Sequence, residues 1–593
     1  MPILNSTLII VVSFVPLFFL SGMEGRMLAP LGIAFIVSLF ASTLVALTLT
    51  PVLCSYLLPN AKALTAGERE PWVTRKLRSV YAKALDWAIA HHRAVIGGTV
   101  ALFVITLIGV FTLGHSFLPA FNEGSLTINL GTVPGIALDE SDRLGRQAEQ
   151  ILMQIPEIKV VARKTGRAEL DEHAQGVNGS EIEAPFELKD RSKDEFLADV
   201  RHRLSVIPGC NIEIGQPISH RLDAMLSGTQ ANIAIKLFGT DLNHMFLIGN
   251  QIKQEIAEIE GVADLNVEQQ VERPQLKIIP KRELLARYGI TLPQFQEYIN
   301  ALLGGQVVSQ VYEGNRSFDL TVKVHDEDRE GIEQIRDLRI STPSGRLIPL
   351  SMVADVVSSS GPNTINRENV TRKIVISCNV AGRDLRSVVN EIRERVSSEI
   401  ELPEDYHIEY GGQFESEQAA TRILLLTSLL SVLVILFLLY HQFSSWRQSI
   451  VILLNLPLAL IGGVMALLFT SGILSIPAII GFISLFGIAT RNGMLLVDRY
   501  NTLLQNTPQS GESFTDRLLQ VIRTGSLDRL NPIVMTALTS ALALIPLALG
   551  GEQPGNEIQS PMAQVILGGL LTSTLLNAFV VPIMYLLTEK KNR

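Results

Sequence analysis

The chain has 593 residues, of which 47% are hydrophobic and 18% charged, with a formal net charge of −8. So few charges exclude an ordinary soluble protein, and the negative balance gives no electrostatic support to a nucleic-acid-binding role. The apolar residues come in blocks, which predicts several domains, some inside a membrane and some outside it.

Ile3–Leu20 is the first apolar run. It has no basic segment before it and leads through the polar turn Ser21–Met27 into a second run, Pro30–Leu57, broken near Pro51. Residues 1–58 therefore read as two membrane spans rather than as a cleavable signal. Residues 59–93 turn basic, with Lys62, Arg69, Arg75, Lys76, Arg78, Lys83 and Arg93. Trp72, Leu77, Tyr81, Leu85 and Ile89 recur within them at helical spacing, which predicts an amphipathic helix on the membrane surface. The other reading is a plain linker helix. Residues 94–114 form a third span, and residues 115–421 are mostly polar. Residues 422–593 hold five more spans, near Ile423–Tyr440, Ile450–Thr470, Pro477–Val497, Pro532–Leu549 and Met562–Leu587.

Eight spans put both termini on one side. Arg447, Arg517, Arg523, Arg529, Lys590, Lys591 and Arg593 share that side with the basic segment, whereas the opposite loops Ser471–Ser475 and Gly550–Ser560 carry no lysine or arginine. The positive-inside rule makes the basic side cytoplasmic and places residues 115–421 outside, in a bacterium the periplasm.

The outer region reads as four β-α-β sets. They begin at Ser125–Val133, Ile182–Leu188, Ala231–Leu237 and Lys373–Val380, and together predict small ferredoxin-like, split-βαβ modules. Residues 275–360, with turns at Glu313-Gly314 and Ser344-Gly345, read as an inserted subdomain. It separates residues 229–274 from 361–421, and residues 115–228 form a module of their own. The three cysteines show no metal-ligand spacing, and Cys210 and Cys378 read as separate thiols, with a disulfide as the alternative.

One span differs from the rest. Ile479–Tyr500 carries Arg491 and Asn492 well inside an apolar stretch, beside Gly487, Ala489 and Gly493. A buried arginine costs about 2.5–3.5 kcal/mol near a helix centre, so it marks an ion- or proton-coupling site or else snorkels to the interface.

Several segments carry a family resemblance: Leu20–Leu31 (LSGMEGRMLAPL), Thr48–Cys54 (TLTPVLC), Phe117–Gly124 (FLPAFNEG), Thr165-Gly166-Arg167, Ala234–Gly239 (AIKLFG), Ala286–Gly289 (ARYG), Tyr312-Glu313-Gly314, Gly411–Glu415 (GGQFE), Gly487–Val497 and Arg529–Leu538 (RLNPIVMTAL). In this order they resemble the inner-membrane pump subunit of the resistance-nodulation-division (RND) superfamily, heavy-metal efflux branch. The match runs over essentially the whole chain. It corresponds to the last eight of the family's twelve spans and the second of its two outer loops. The resemblance implies a helical membrane bundle with outer porter modules and an inserted docking subdomain. It also implies a homotrimer working with periplasmic adaptor and outer-membrane channel proteins, and no enzymatic activity or cofactor.

The family's proton relay centres on acidic residues of the fourth span, which has no counterpart here. A separate chain supplying the missing N-terminal half is one explanation, and a truncated or split-gene fragment is the other. The relay positions that do match are Arg491, Asn492, Thr536 and Arg529. Arginine does not release a proton near neutrality, so Arg491 is expected to act as a fixed positive partner of a carboxylate. Thr536 serves the relay or only helix packing. Copper and silver exporters of this branch use cleft methionines, and the matching positions here are Asn129, Glu181 and Ala224. The cleft segment offers carboxylates and imidazoles instead, including Glu183, His220 and above all His173, Glu181 and Asp223. Such ligands suit divalent zinc, cobalt, nickel or cadmium better than monovalent copper. Much of 168–187 also reads as a solvated acidic loop. The expected function is proton-driven efflux of divalent metal cations, with copper, silver or organic molecules as alternatives. No P-loop, nucleophile elbow or HExxH pattern points to ATP hydrolysis or another enzyme.

Overall fold

The computed structural model describes residues 2–58, 71–119, 121–166, 176–362, 364–506, 513–551 and 553–590. A long apolar run satisfies its backbone polar groups inside a bilayer only by coiling, and these runs are helical. Among the described residues seven helices are long and apolar enough to cross a membrane: Gly22–Leu57, His92–Val110, Gln413–Phe443, Trp446–Phe469, Ile476–Asn506, Phe514–Leu549 and Gln559–Lys590. A shorter apolar helix, Leu4–Phe19, precedes them.

Two of the seven are interrupted. Helix Gly22–Leu47 gives way at Thr48 (φ −113°, ψ −70°) to Leu49–Leu57. Pro51 thus lies in the first turn of the second piece, where a missing N–H breaks no helical bond, and the discontinuity is at Thr48. Pro457 stands likewise in the first turn of Asn455–Phe469, which follows Trp446–Leu453. Helix Ile476–Asn506 is the bundle's axis. It packs against Pro2–Phe14, Asn455–Phe469, Phe514–Leu549 and Gln559–Lys590. Small residues permit this: a Cβ added at Gly487 would lie 2.9 Å from Ile10 Cα, and one at Gly481 would lie 2.9 Å from the Met562 carbonyl. Such close backbone approach is the main source of helix association where water is absent.

The four predicted β-α-β sets join in pairs. In the first module Ser125–Gly131, helix Leu138–Leu152, Ala162–Thr165, Gly179–Pro185, helix Lys193–Leu204 and Asn211–Gly215 follow one another. The sheet order is Ala162–Thr165, Gly179–Pro185, Ser125–Gly131, Asn211–Gly215, antiparallel throughout. The second set's strand lies between the two strands of the first, as a split βαβ requires. Period-2 alternation then divides the sheet. Leu126, Ile128, Leu130, Ile182, Ala184 and Ile214 pack under the helices, and Thr127, Asn129, Glu181 and Glu213 fall on the opposite face.

The second module repeats this topology. Its sheet order is Val262–Val267, Thr371–Val380, Ile233–Gly239, His407–Gly412, with the short strand Asn366–Glu368 folded back on Thr371–Val380. Helices Leu242–Ile256 and Leu385–Glu399 cover its core. The insertion leaves this sheet through paired strands Glu272–Pro280 and Ala354–Pro362, with Glu272 opposite Pro362. It closes on its own core of Leu285, Phe295, Ile340, Ile348 and Val353. From it projects a hairpin, Gln306–Glu313 with Arg316–Val322, turning at Gly314 (φ +64°). Every residue of these two strands is exposed, Val307, Tyr312 and Phe318 included. Cys54, Cys210 and Cys378 are free thiols.

Candidate functional site

On helix Ile476–Asn506, Arg491 is half-buried and makes no hydrogen bond or ion pair among the described residues. Gly487, one turn earlier on the same face, lies against Ile10 and Ser13, so Arg491 stands on the side of the first helix. Asn492 is 3% exposed and its Nδ2 has no partner among the described residues. Asn455, fully buried, is equally unpaired, and a Cβ at Gly493 would overlap its Nδ2. Thr536 donates its hydroxyl to the Pro532 carbonyl of its own helix at 2.7 Å. Arg529 is half-buried with an unpartnered Nε. No carboxylate pairs with either arginine among the described residues. The four relay positions thus occupy two packed helices but form no hydrogen-bonded chain here.

Outside the bundle, helix Pro217–Ser227 closes over the polar face of the first module. Its His220 is 4% exposed. The ring lies on Gly215, Nδ1 is 3.4 Å from Asn129 Nδ2, and Nε2 has no partner among the described residues. Asn129 Nδ2 also donates to Gln230, while Asn129 Oδ1 and Thr127 Oγ1 remain unpaired. Glu181, across the sheet from Asn129, takes a 3.2 Å ion pair from Lys164. Asp223 is 2% exposed, accepting from Gln413 Nε2 at 2.7 Å and Asn232 Nδ2 at 3.1 Å. Burial pushes the His220 imidazole down to about 4, against the pull of the Glu181 and Asp264 carboxylates. Burial lifts Asp223 to about 6 against its two amide donors. Near neutrality the cleft therefore holds a neutral imidazole with a free ring nitrogen and a buried carboxylate.

Of the three predicted metal residues, only Glu181 and Asp223 are among the described ones, and each has other partners. His173 lies outside the described residues. Glu181 is held by Lys164 and Asp223 by two amides, and among the described residues no group of three or more His, Cys, Asp or Glu side chains is arranged for a metal. Sequence reasoning noticed His220 but missed the helix that carries it. It also missed what tethers that helix. The Glu123 carboxylate accepts from the Ile218 amide at 2.8 Å and the Ser219 amide at 3.4 Å. The neighbouring Asn122 amide donates to Glu557 at 3.1 Å, in the connection before the last membrane helix. At the other end Asp223 bonds Gln413, the first residue of helix Gln413–Phe443. The cleft helix is thus bonded directly to one membrane helix through Asp223, and the segment that caps its N-terminus is bonded to the connection before another. The family's FNEG motif was the available signal, since it contains both Asn122 and Glu123.

A bundle of long apolar helices that carries two split-βαβ modules and a polar cleft bonded to the bundle is the architecture of a polytopic membrane transport protein. The sequence profile described as the AcrB/AcrD/AcrF family matches residues 1–589. The chain belongs to that family of RND efflux pumps. It is similar to protein HelA of Legionella pneumophila (33% identity, covering 98% of this chain and 55% of the relative). It is also similar to the cobalt-zinc-cadmium resistance protein CzcA of Cupriavidus metallidurans (31% identity, 100% and 56%). A crystal structure described as a heavy metal efflux pump superimposes with a TM-score of 0.81 at 27% identity, covering 100% of this chain and 57% of that one. The chain thus spans about half the length of the curated relatives it matches.

Proposed function

We propose that this chain is the C-terminal portion of a proton-driven exporter of divalent heavy-metal cations in a bacterial inner membrane. The observation that carries the reading is the cleft under helix Pro217–Ser227, where Asn129 and Glu181 lie side by side on a polar sheet face and the buried His220 ring stands against Asn129. Its donors are nitrogen and oxygen, which suit zinc, cobalt, nickel or cadmium as cargo. The relatives named for cobalt, zinc, cadmium and nickel resistance support this choice. Leu4–Phe19 counts as a short eighth span because it packs along the axial helix. The exposed hairpin Gln306–Val322 supports a homotrimer, since long uncovered strands with apolar side chains call for a partner. Adaptor and outer-membrane channel proteins complete the assembly in this reading.

Arg491 supports a second statement. A half-buried guanidinium without a counter-ion among the described residues is costly, and a carboxylate on a helix outside these 593 residues would relieve the cost. A chain that never meets that helix is a fragment unable to couple to protons.

The test is zinc and cadmium resistance in cells co-expressing this chain with the N-terminal half of a relative. Resistance is expected with the native chain and not with Arg491→Ala or Glu181→Ala at equal membrane levels. Resistance unchanged in both variants would remove both roles, and no resistance with any combination would favour the fragment.

A further inference from the structure

Helix Trp72–Ala90 meets the bundle along a narrow stripe. Tyr81, Leu85 and Ala88 are buried, the first two against Leu530, and the Tyr81 hydroxyl donates to the Ala578 carbonyl at 2.7 Å. One edge beside that stripe is polar and ion-paired, through Asp86 with Arg523 at 2.9 Å and Arg78 with Asp528 at 3.7 Å. The other edge is apolar and uncovered, with Val73, Val80 and Trp87 exposed by 65, 60 and 58%. On the outer face between the two edges stand Lys76 and Lys83, two turns apart on one side of the helix. Neither makes an ion pair among the described residues, and Lys76 lies over the Trp72 ring at 5.2 Å.

These edges match the layers of a bilayer surface. Apolar residues with tryptophan fit the acyl boundary, ammonium groups beside them fit the phosphate layer, and the ion-paired edge fits water. Continuity fixes the level: the chain turns at His91 straight into the membrane-crossing helix His92–Val110. Two unpaired lysines among lipid phosphates distinguish one lipid from another. Each Lys near an anionic surface contributes about 1 kcal/mol, or roughly fivefold in local preference.

We propose that the Lys76–Lys83 face of this helix is a binding surface for anionic phospholipid headgroups, which fixes the helix at the cytoplasmic leaflet. This surface is independent of the cargo and of the coupling reaction.

The chain has three tryptophans, Trp72, Trp87 and Trp446, so Trp446→Phe leaves only the two on this helix. The full chain with that substitution is reconstituted in mixed phosphatidylcholine and phosphatidylglycerol vesicles, with either lipid brominated as the quencher. Brominated phosphatidylglycerol is expected to quench several-fold more than brominated phosphatidylcholine at equal mole fraction. Lys76→Gln with Lys83→Gln should abolish the difference, and Arg75→Gln, on the polar edge, should preserve it. Equal quenching by the two lipids overturns the proposal. So does loss of selectivity in Arg75→Gln to the same extent, which would mean diffuse charge. Quenching by neither lipid also overturns it, because the face would then be covered by protein.

Discussion

His220 and Asp223 sit three residues apart on one helix, yet burial moves them in opposite directions. His220 falls from 6.5 to about 4, so the unfolded chain binds its proton more readily. Its contribution to stability is complete above pH 6.5 and is lost as pH falls toward 4, by about 3 kcal/mol. Asp223 rises from 3.8 to about 6, so the folded state binds its proton more readily. It adds about 3 kcal/mol as pH falls from 6 toward 4. The two effects oppose each other in the native chain. Relative to native, Asp223→Asn should lose stability on acidification and His220→Gln should gain it, read as melting temperature in detergent between pH 7 and 4. Slopes of equal sign in the two variants would refute the opposition. Sequence showed both residue types but neither environment. One amide donor to Asp223 is Asn232, nine residues on, and the other is Gln413, 190 residues on.

Elements differ in how far their reasons are local. The long apolar helices follow from composition, because an apolar run in a bilayer has one backbone solution. The alternation of Ser125–Gly131 or Thr371–Val380 is also visible in the chain, since every second residue must enter a core. Which strands pair is a nonlocal matter, so the four β-α-β sets were legible but the strand order and register within each sheet were not. The parallel pair Gly114–Ser116 with Ile473–Ser475 is too short to leave any pattern. Helix Pro217–Ser227 was hidden for a related reason. Beside a local bond from the Gln216 amide to the Ser219 hydroxyl, the Ile218 and Ser219 amides at its N-terminus are satisfied by Glu123, which is remote in sequence. Glu123→Ala should therefore cost about 1 kcal/mol and loosen this helix first. Hydrogen exchange at residues 217–227 reads the effect, and protection equal to native would show that the packing of Leu222 holds the helix without its cap.

At the scale of the molecule, one topology is used twice and interrupted once. The hairpin Gln306–Val322 contributes nothing to either module's core or to that of the insertion. Replacing it with a short glycine linker should leave the melting temperature of the detergent-solubilised monomer within a few degrees of native. The same deletion should abolish the trimer proposed above, as measured by light scattering or cross-linking. A deletion variant that still assembles would move the subunit contact elsewhere.

The paired strands that carry the insertion also bear on the order of folding events. Val262–Val267 and Thr371–Val380 are neighbours in the second sheet, yet about 100 residues separate them along the chain. Bringing them together in an unstructured chain means closing that whole loop. Once the insertion has folded, Glu272 and Pro362 are already side by side, and only short connections remain. Shortening the effective loop about tenfold lowers the closure cost by about 2 kcal/mol. The insertion is thus placed to act as a nucleus, and slowing its collapse would delay a sheet with which it shares no core.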